Sequence, residues 1–86
     1  MWYVYFLKNL KDYIFYIGST CDLKRRILDH NSGFVVSTKN RRPLNLIGYR
    51  KFDTVAEAAL FEKKYKRSSG QFRRDVKNGK IFSVGE

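Results

Sequence analysis

The hydrophobic runs of this chain are short and separated by polar segments, and three of them predict strands. Trp2 to Leu7, Tyr13 to Ile17 and Leu44 to Phe52 are rich in the aromatic and β-branched residues that favour strands. We expect Gly18 to end the second strand. The polar segment between the first two runs is too short for a parallel crossover, which predicts an antiparallel hairpin.

Helical spacing predicts three helices after this hairpin. The first runs from Leu23 to His30, and the second from a Thr54–Glu57 capping box to Lys66. A third, short helix covers Gln71 to Lys77. The order strand, strand, helix, strand, helix, helix predicts a single α+β domain over residues 1–86. Its core is expected to be a three-stranded, largely antiparallel sheet flanked by helices.

A carboxylate interrupts the apolar stripe of the second predicted helix. The spacing predicts that the stripe consists of Val55, Ala58, Ala59 and Tyr65. Glu62 projects into the middle of this stripe, where a carboxylate is costly unless a cation, a metal or hydrogen bonds compensate it. Two interpretations fit the spacing equally well: a ligand for Mg²⁺, or a buried salt bridge to Arg26 or a lysine.

The charge of the chain indicates a polyanionic partner. There are 18 lysines and arginines against 8 acidic residues, which gives a formal charge of +10 on 86 residues. Such a small surface cannot disperse this charge, which favours nucleic acid binding over a merely soluble basic domain. A ribosome-associated RNA binder and an acidic membrane surface are the alternatives. The long basic loop from Phe34 to Pro43 is a candidate contact segment.

Other features narrow the class of protein. The single cysteine, Cys21, excludes an intrachain disulfide and a multi-cysteine zinc cluster. There is no apolar run of 18 or more residues, so no membrane span is expected. The first residues lack the pattern of a signal peptide. We therefore expect an intracellular, cytoplasmic and bacterial protein rather than a secreted one.

Four residues outside the Glu62 helix could carry chemistry. Arg26 and His30 lie four apart and share a helix face. Arg26 could bind phosphate oxygens and His30 could transfer protons near neutral pH, although a solvated basic face would look the same. Tyr5 and Tyr16 could face the same side of the hairpin. A tyrosine with a lowered pKa can accept a proton, but paired tyrosines are also ordinary sheet residues.

The order of these residues resembles the GIY-YIG nuclease domain, in particular its small stand-alone members. The resemblance covers nearly the whole chain, and the glycine of the first motif is replaced by Tyr3. The segments that carry it are Tyr3-Val4-Tyr5, Tyr16-Ile17-Gly18, the helix with Arg26, His30 and Asn31, Ser37 to Pro43, and Phe61-Glu62-Lys63-Lys64. The fold of that family, a three-stranded antiparallel sheet with flanking helices, agrees with the predicted elements.

The resemblance implies a role for each candidate. Tyr5 or Tyr16, or a water beside it, would help to deprotonate the nucleophile. Arg26 would bind the scissile phosphate, and His30 would assist proton transfer or orient a tyrosine. Glu62 would hold one divalent ion, Mg²⁺ or Mn²⁺, as its only protein carboxylate. Without metal, we expect Glu62 to rest near Arg26.

Two further positions follow from the same resemblance. Gly18 would allow a tight backbone turn beside the site. Asn78 is the candidate for an asparagine that the family carries after its glutamate helix.

The leading functional prediction is a Mg²⁺-dependent DNA endonuclease of low sequence specificity, with direction by DNA structure as one option, in repair or processing. RNA is not excluded as a partner, and a protein partner for targeting is a third possibility. The alternative function is a non-catalytic nucleic-acid-binding module. The residues expected to hold the nucleic acid backbone are Lys24, Lys39, Arg41, Arg42 and Lys63.

Overall fold

The computed structural model describes residues 1–11 and 14–84, which form a four-stranded antiparallel sheet with helices on both faces. Strand β1 (Trp2–Asn9) pairs with β2 (Phe15–Thr20) on one side and with β3 (Leu44–Phe52) on the other. A short strand, β4 (Phe82–Ser83), pairs with β3. The spatial order is β2-β1-β3-β4, so β2 is an edge strand.

Three α-helices and one 3₁₀ helix connect these strands. Their bounds are α1 (Leu23–Asn31), the 3₁₀ helix (Val36–Arg41), α2 (Val55–Arg67) and α3 (Ser69–Lys77). Asp22 caps α1 by accepting the backbone N–H of Arg25, and Thr54 caps α2 by accepting that of Glu57. Among the described residues, the helices are too short or too polar to cross a membrane.

Alternation along β1 divides the core between the two faces of the sheet. Val4 and Phe6 point towards α2 and α3, where they pack with Tyr65. Tyr5 and Leu7 point towards α1, where Leu44 completes the buried cluster. The central strand therefore contributes buried side chains to both layers.

The predicted α+β class and the antiparallel sheet are confirmed, but the prediction of three strands is wrong. The fourth strand, Phe82–Ser83, is two residues long and too short to show an alternating pattern. Strand β2 also continues through Gly18 to Thr20 rather than ending at Gly18. Tyr13, with which this strand was expected to begin, lies outside the described residues.

The buried stripe of α2 is narrower than the sequence predicted. Ala58 and Tyr65 are buried, and Phe61 packs against the same core. Val55, in the first turn, is 52% exposed. Ala59 is also exposed, because it lies about 100° around the helix from Ala58. The face that contacts the sheet is thus centred on positions 58, 61 and 65.

A buried polar cluster fixes α3 against α2 and β3. Asp75 accepts hydrogen bonds from the hydroxyl of Tyr65 and from Gln71, and it lies 3.5 Å from Arg50. Burial alone would raise the pKa of Asp75, but these hydrogen bonds and the charges of Arg50 and Lys80 lower it. Burial, followed by the bond to Asp75, raises the pKa of Tyr65 to about 12.

The basic loop before β3 contains a helical segment that was not predicted from the sequence. Its middle forms the 3₁₀ helix, and Thr38 within that helix is 1% exposed. The side chain of Asn31 bonds to both backbone groups of Leu44, at 2.9 and 3.0 Å, which ties the end of α1 to the start of β3. The loop is therefore held at its end, and Thr38 is placed against α1.

Candidate active site

A cleft of about 1010 Å³ opens along β2, where side chains from both faces of the sheet meet. Five of the six residues of β2, Phe15 to Ser19, line it. The lining also includes every residue expected at the catalytic or metal centre: Tyr5, Tyr16, Arg26, His30 and Glu62. Two strands and two helices contribute these side chains, which places them in one site.

The strand register explains how Tyr5 reaches this cleft from the central strand. Tyr5 lies opposite Gly18 and Leu7 lies opposite Tyr16, so both tyrosines share one face of the sheet. A Cβ atom on Gly18 would lie 2.6 Å from Cζ of Tyr5 and closer still to its hydroxyl oxygen. The absence of a side chain at Gly18 allows the ring of Tyr5 to cross the edge strand.

This geometry corrects the role expected for Gly18. The residue lies within β2 and does not make a tight turn. The glycines with positive φ in the described residues are Gly33 and Gly79. The need for glycine at position 18 is therefore steric, because the ring of Tyr5 occupies the space of a side chain.

A line of hydrogen bonds runs from Tyr5 into the protein. The Tyr5 hydroxyl lies 2.9 Å from Nε2 of His30, and Nδ1 of His30 lies 2.7 Å from Oγ1 of Thr38. The hydroxyl of Thr38 donates in turn to the carbonyl of Val35, at 3.5 Å. His30 is only 4% exposed, so its position is fixed by both ring nitrogens rather than by solvent.

The environment of His30 favours its neutral form. Burial lowers the pKa of His30, and the nearby charge of Arg26 lowers it further. Asp29 acts in the opposite direction but does not reverse the shift. Neutral imidazole has one nitrogen that can accept a proton. His30 needs such a nitrogen to accept the hydrogen of the Tyr5 hydroxyl.

Arg26 lies one helical turn before His30 and faces the same cleft. Its Nε donates to the Tyr5 hydroxyl at 3.3 Å. Within residues 1–11 and 14–84, its remaining N–H groups donate to no protein acceptor. The guanidinium therefore contacts Tyr5 with one edge and has free donors for an anion in the cleft.

Glu62 reaches the cleft from the opposite face of the sheet. Its Oε1 accepts a hydrogen bond from Ser19 at 2.8 Å, and its Oε2 lies 2.8 Å from Nζ of Lys66. The expectation that it rests near Arg26 is wrong. The compensating charge comes from Lys66, one turn along α2, which agrees with the alternative of a salt bridge to a lysine. The side chain is 22% exposed, so the carboxylate is accessible from the cleft.

The donor set around Glu62 fits a single hard divalent cation. A carboxylate oxygen is a preferred ligand for Mg²⁺, and the position already accommodates the positive charge of Lys66. No group of three or more His, Cys, Asp or Glu side chains comes together in the described part of the chain. An ion at Glu62 would thus depend on water and on substrate oxygens for its other ligands.

The residues predicted to hold nucleic acid lie outside the cleft lining. All five are exposed: Lys24, Lys39, Arg41, Arg42 and Lys63. Lys24 lines a smaller cleft of about 540 Å³ beside Tyr3, and Arg42 donates to the carbonyl of Lys39. Their role as backbone contacts stays a prediction for the surface around the site. Asn78 caps the end of α3 and also lies outside the lining.

Among the cleft residues that were not identified from the sequence as site residues are Ser19, Thr38, Lys66 and Arg73. The spacing of Lys66, four residues after Glu62, is a helical ion-pair signal that could have identified it. Thr38 lies in a segment without periodicity, and its contact with His30 depends on the tertiary fold. Arg73 was one of many basic residues, and nothing in the pattern separated it from the others.

Comparison with known proteins gives consistent matches. The model of the GIY-YIG catalytic domain family matches residues 1–75. A UPF0213 protein of Cupriavidus necator is 39% identical over 74 residues, which cover 85% of this chain and 79% of the relative. A UPF0213 protein of Staphylococcus saprophyticus is 40% identical over 84 residues, which cover 96% and 95% of the two chains.

A solved structure supports the same relationship. The solution NMR structure of a UPF0213 protein of Bacillus halodurans has a TM-score of 0.52 with this chain and 34% sequence identity. The match covers 93% of this chain and 86% of the other. The similarity therefore extends through the sheet and the helices that build the cleft.

Proposed function

This chain belongs to the GIY-YIG catalytic domain family, a nuclease superfamily, and we propose that it is a metal-dependent endonuclease that hydrolyses phosphodiester bonds in DNA. One observation carries the proposal. A single cleft joins the Tyr5–His30–Arg26 group on one face of the sheet to the Glu62 carboxylate on the other. A base, a phosphate-binding cation and a metal ligand are the groups that phosphodiester hydrolysis requires.

Tyr5 is the general base in this proposal. The Thr38 hydroxyl donates to Val35 and accepts from Nδ1 of His30, which leaves Nε2 to accept the proton of Tyr5. Tyr5 in turn takes a proton from the attacking water as the new oxygen–phosphorus bond forms. The bond from phosphorus to the leaving oxygen breaks in the same step, and a second water in the cleft protonates that oxygen. His30 can therefore receive the proton that Tyr5 releases.

Arg26 acts on both the base and the substrate. Its Nε–H, 3.3 Å from the Tyr5 oxygen, stabilises negative charge on that oxygen. Its free N–H groups would contact a phosphate in the cleft and stabilise the charge that develops on the phosphate oxygens. A neutral residue at position 26 would remove both effects.

Glu62 is the proposed ligand of one Mg²⁺ or Mn²⁺ ion. When bound, such an ion supplies Lewis-acid stabilisation of the negative charge on the reacting phosphate. Ser19 holds Oε1 of Glu62 by a 2.8 Å hydrogen bond and so orients the carboxylate towards the cleft. Lys66 would have to leave Oε2 when the ion binds.

The charge of the chain supports a nucleic acid substrate. A formal charge of +10 favours binding to the phosphate backbone, which gives affinity without sequence recognition. We therefore propose low sequence specificity and affinity that falls steeply with salt. Cleavage directed by DNA structure, during repair or processing, is the further part of this proposal.

A panel of substrates tests this function. Plasmid, single-stranded, flapped and branched DNA, and a matching RNA set, are incubated with Mg²⁺ or Mn²⁺. Arg26→Ala and Glu62→Ala are expected to lose cleavage. Arg25→Ala is the matched control, because the Arg25 side chain is 73% exposed on the same helix and pairs with Asp29 outside the cleft.

Two results would contradict the proposal in different ways. Full cleavage by both site variants would mean that the cleft residues do not carry the reaction. Tight binding of nucleic acid without cleavage of any substrate, with either metal, would instead favour the non-catalytic binding module.

A further inference from the structure

The face of β2 that points towards α2 and α3 carries an aromatic residue in the same cleft. Alternation along the strand places Phe15, Ile17 and Ser19 on one face. Ser19 is bonded to Glu62, so this face begins beside the proposed metal ligand. Phe15 lies four residues before Ser19, about 13 Å away at a rise of about 3.3 Å per residue.

Phe15 is held in place but not covered. It lines the cleft and is 47% exposed. Its ring centroid lies 5.8 Å from that of Phe72, with 65° between the ring planes. An edge contact of this kind covers at most one face of Phe15. The cleft therefore contains a positioned aromatic ring with an open face.

A cation accompanies this ring. Arg73 follows Phe72 on α3 and lines the same cleft. Across the described residues, its guanidinium has no hydrogen-bond or ion-pair partner. Gly70, three residues before it, also lines the cleft, and a methyl group there would meet no atom within 4 Å. The cleft wall is thus open beside Arg73.

We propose that Phe15, supported by Phe72 and accompanied by Arg73, forms a nucleobase-stacking subsite for an unpaired nucleotide that flanks the scissile phosphate. The inference rests on the proposed function and specifies its substrate class. An aromatic face stacks on any base, and an arginine beside it binds the phosphate of the same nucleotide. A base within a paired duplex has its faces covered by its neighbours and cannot use this subsite.

The proposed substrate is therefore nucleic acid with a single-stranded or unpaired nucleotide near the cut. Because Phe15 lies about 13 Å along β2 from Ser19, the stacked nucleotide would lie about that far from the phosphate at Glu62. Stacking gives no sequence preference, because every base has a face that can stack. The subsite would select for structure, while the exposed basic residues supply general affinity.

Binding without cleavage tests the subsite. Flapped, single-stranded and fully paired oligonucleotides that carry 2-aminopurine at successive positions are titrated in EDTA. Phe15→Leu keeps an apolar side chain against Phe72 but removes the ring. It is expected to weaken binding of the unpaired substrates by about 5- to 150-fold, the range for one lost base–aromatic stack, and to abolish the position-specific quenching. Phe15→Tyr is expected to retain both.

The chain offers matched controls for each change. Phe82 is 63% exposed and stacks on Tyr49 at the opposite edge of the sheet, outside the cleft, so Phe82→Leu should leave affinity unchanged. Arg73→Gln is expected to weaken binding. It should also reduce the slope of log affinity against log salt concentration by about one, the amount for one lost phosphate contact. Arg74→Gln is its control, because Arg74 bonds Gln71 at the surface.

The outcomes separate this inference from the proposed function. Equal affinities for Phe15→Leu and Phe82→Leu would overturn the subsite, and undiminished cleavage would then leave the nuclease proposal standing. A preference for fully paired DNA would also overturn the subsite. No binding of any nucleic acid by the unaltered protein would overturn both proposals.

Discussion

The hydroxyl of Tyr5 lies 2.9 Å from Nε2 of His30, although the two residues are 25 positions apart in the chain. The contact joins the central strand to α1 and is only possible because Gly18 has no side chain. Thr38 holds the other ring nitrogen of His30. Tyr5 and His30 therefore form one hydrogen-bonded unit, and changes to either should affect the other.

The first prediction distinguishes the two tyrosines. Tyr5→Phe removes the hydroxyl that bonds His30 and Arg26 and is expected to reduce the cleavage rate by about 10²- to 10⁴-fold, the usual contribution of a general base. Affinity for DNA should be retained. Tyr16→Phe is the matched control. The Tyr16 hydroxyl bonds no residue in the described ranges, so we expect a smaller loss of rate. Single-turnover kinetics measures both, and a larger loss for Tyr16→Phe would assign the base to Tyr16.

The second prediction concerns the acid limb of the pH–rate profile. Burial and Arg26 hold the pKa of His30 below 6.5. As the pH falls through that pKa, protonated His30 can no longer accept a proton from Tyr5, and cleavage should fall. We expect the acid midpoint of kcat/KM to lie below 6.5. A midpoint above 6.5 would contradict the proposed proton path.

The same shift predicts a change in stability with pH. The pKa of His30 is lower in the folded state, so the unfolded state binds more protons below about pH 6.5. The contribution of neutral His30 to the free energy of unfolding should be fully present above that value. It should be lost as the pH falls through the folded-state pKa. His30→Gln lacks this titration, and His30 is the single histidine of the chain. The free energy of unfolding in urea should therefore fall less between neutral pH and about pH 5 for the variant than for the unaltered protein. Equal losses would contradict this linkage.

The strands and helices could be predicted because their signals are local. The β1–β2 hairpin follows from two hydrophobic runs and a short polar segment, and α2 follows from a capping box and helical spacing. Strand β4 could not be predicted in this way. Its two residues are strand only because they pair with Gly48 and Tyr49 of β3.

The site could be predicted in its composition but not in its contacts. The resemblance assigned Tyr5, Arg26, His30 and Glu62 to one centre, and the cleft contains all four. The expectation that Glu62 rests near Arg26 was wrong, whereas the alternative of a lysine partner matches Lys66. The choice between the two depends on which face of the sheet α2 covers. The steric role of Gly18 depends on its register with Tyr5, which one residue of slippage would change.

The third prediction uses the close approach of Tyr5 to Gly18. Gly18→Ala adds a methyl group 2.6 Å from Cζ of Tyr5, which must displace the ring. Cleavage should be lost because the Tyr5–His30 bond is broken. Gly70→Ala is the matched control, because its methyl group meets nothing within 4 Å. We expect this variant to retain cleavage and to be no less stable than the unaltered protein, because alanine has a higher helix propensity than glycine. Thermal unfolding and cleavage assays test both variants, and a fully active Gly18→Ala protein would contradict this geometry.

The fourth prediction concerns metal binding at Glu62. The Nζ of Lys66 lies 2.8 Å from Oε2, so an incoming cation competes with the lysine for that oxygen. Lys66→Met should therefore strengthen Mn²⁺ binding in the absence of DNA. The gain should not exceed about fivefold, because exposed pairs of this kind contribute at most about 1 kcal/mol.

Comparison with a second lysine separates this competition from a general effect of charge. Lys63→Met removes the same charge from an exposed position on α2, outside the cleft lining. Calorimetric titration with Mn²⁺ should give tighter binding for Lys66→Met than for Lys63→Met, and no binding at this site for Glu62→Gln. Equal affinities for the two lysine variants would mean that Lys66 affects metal binding only through the overall electrostatic potential of the protein, and not by competing for Oε2. Unchanged binding by Glu62→Gln would remove Glu62 as the metal ligand, because the amide cannot supply the charge that holds a hard cation.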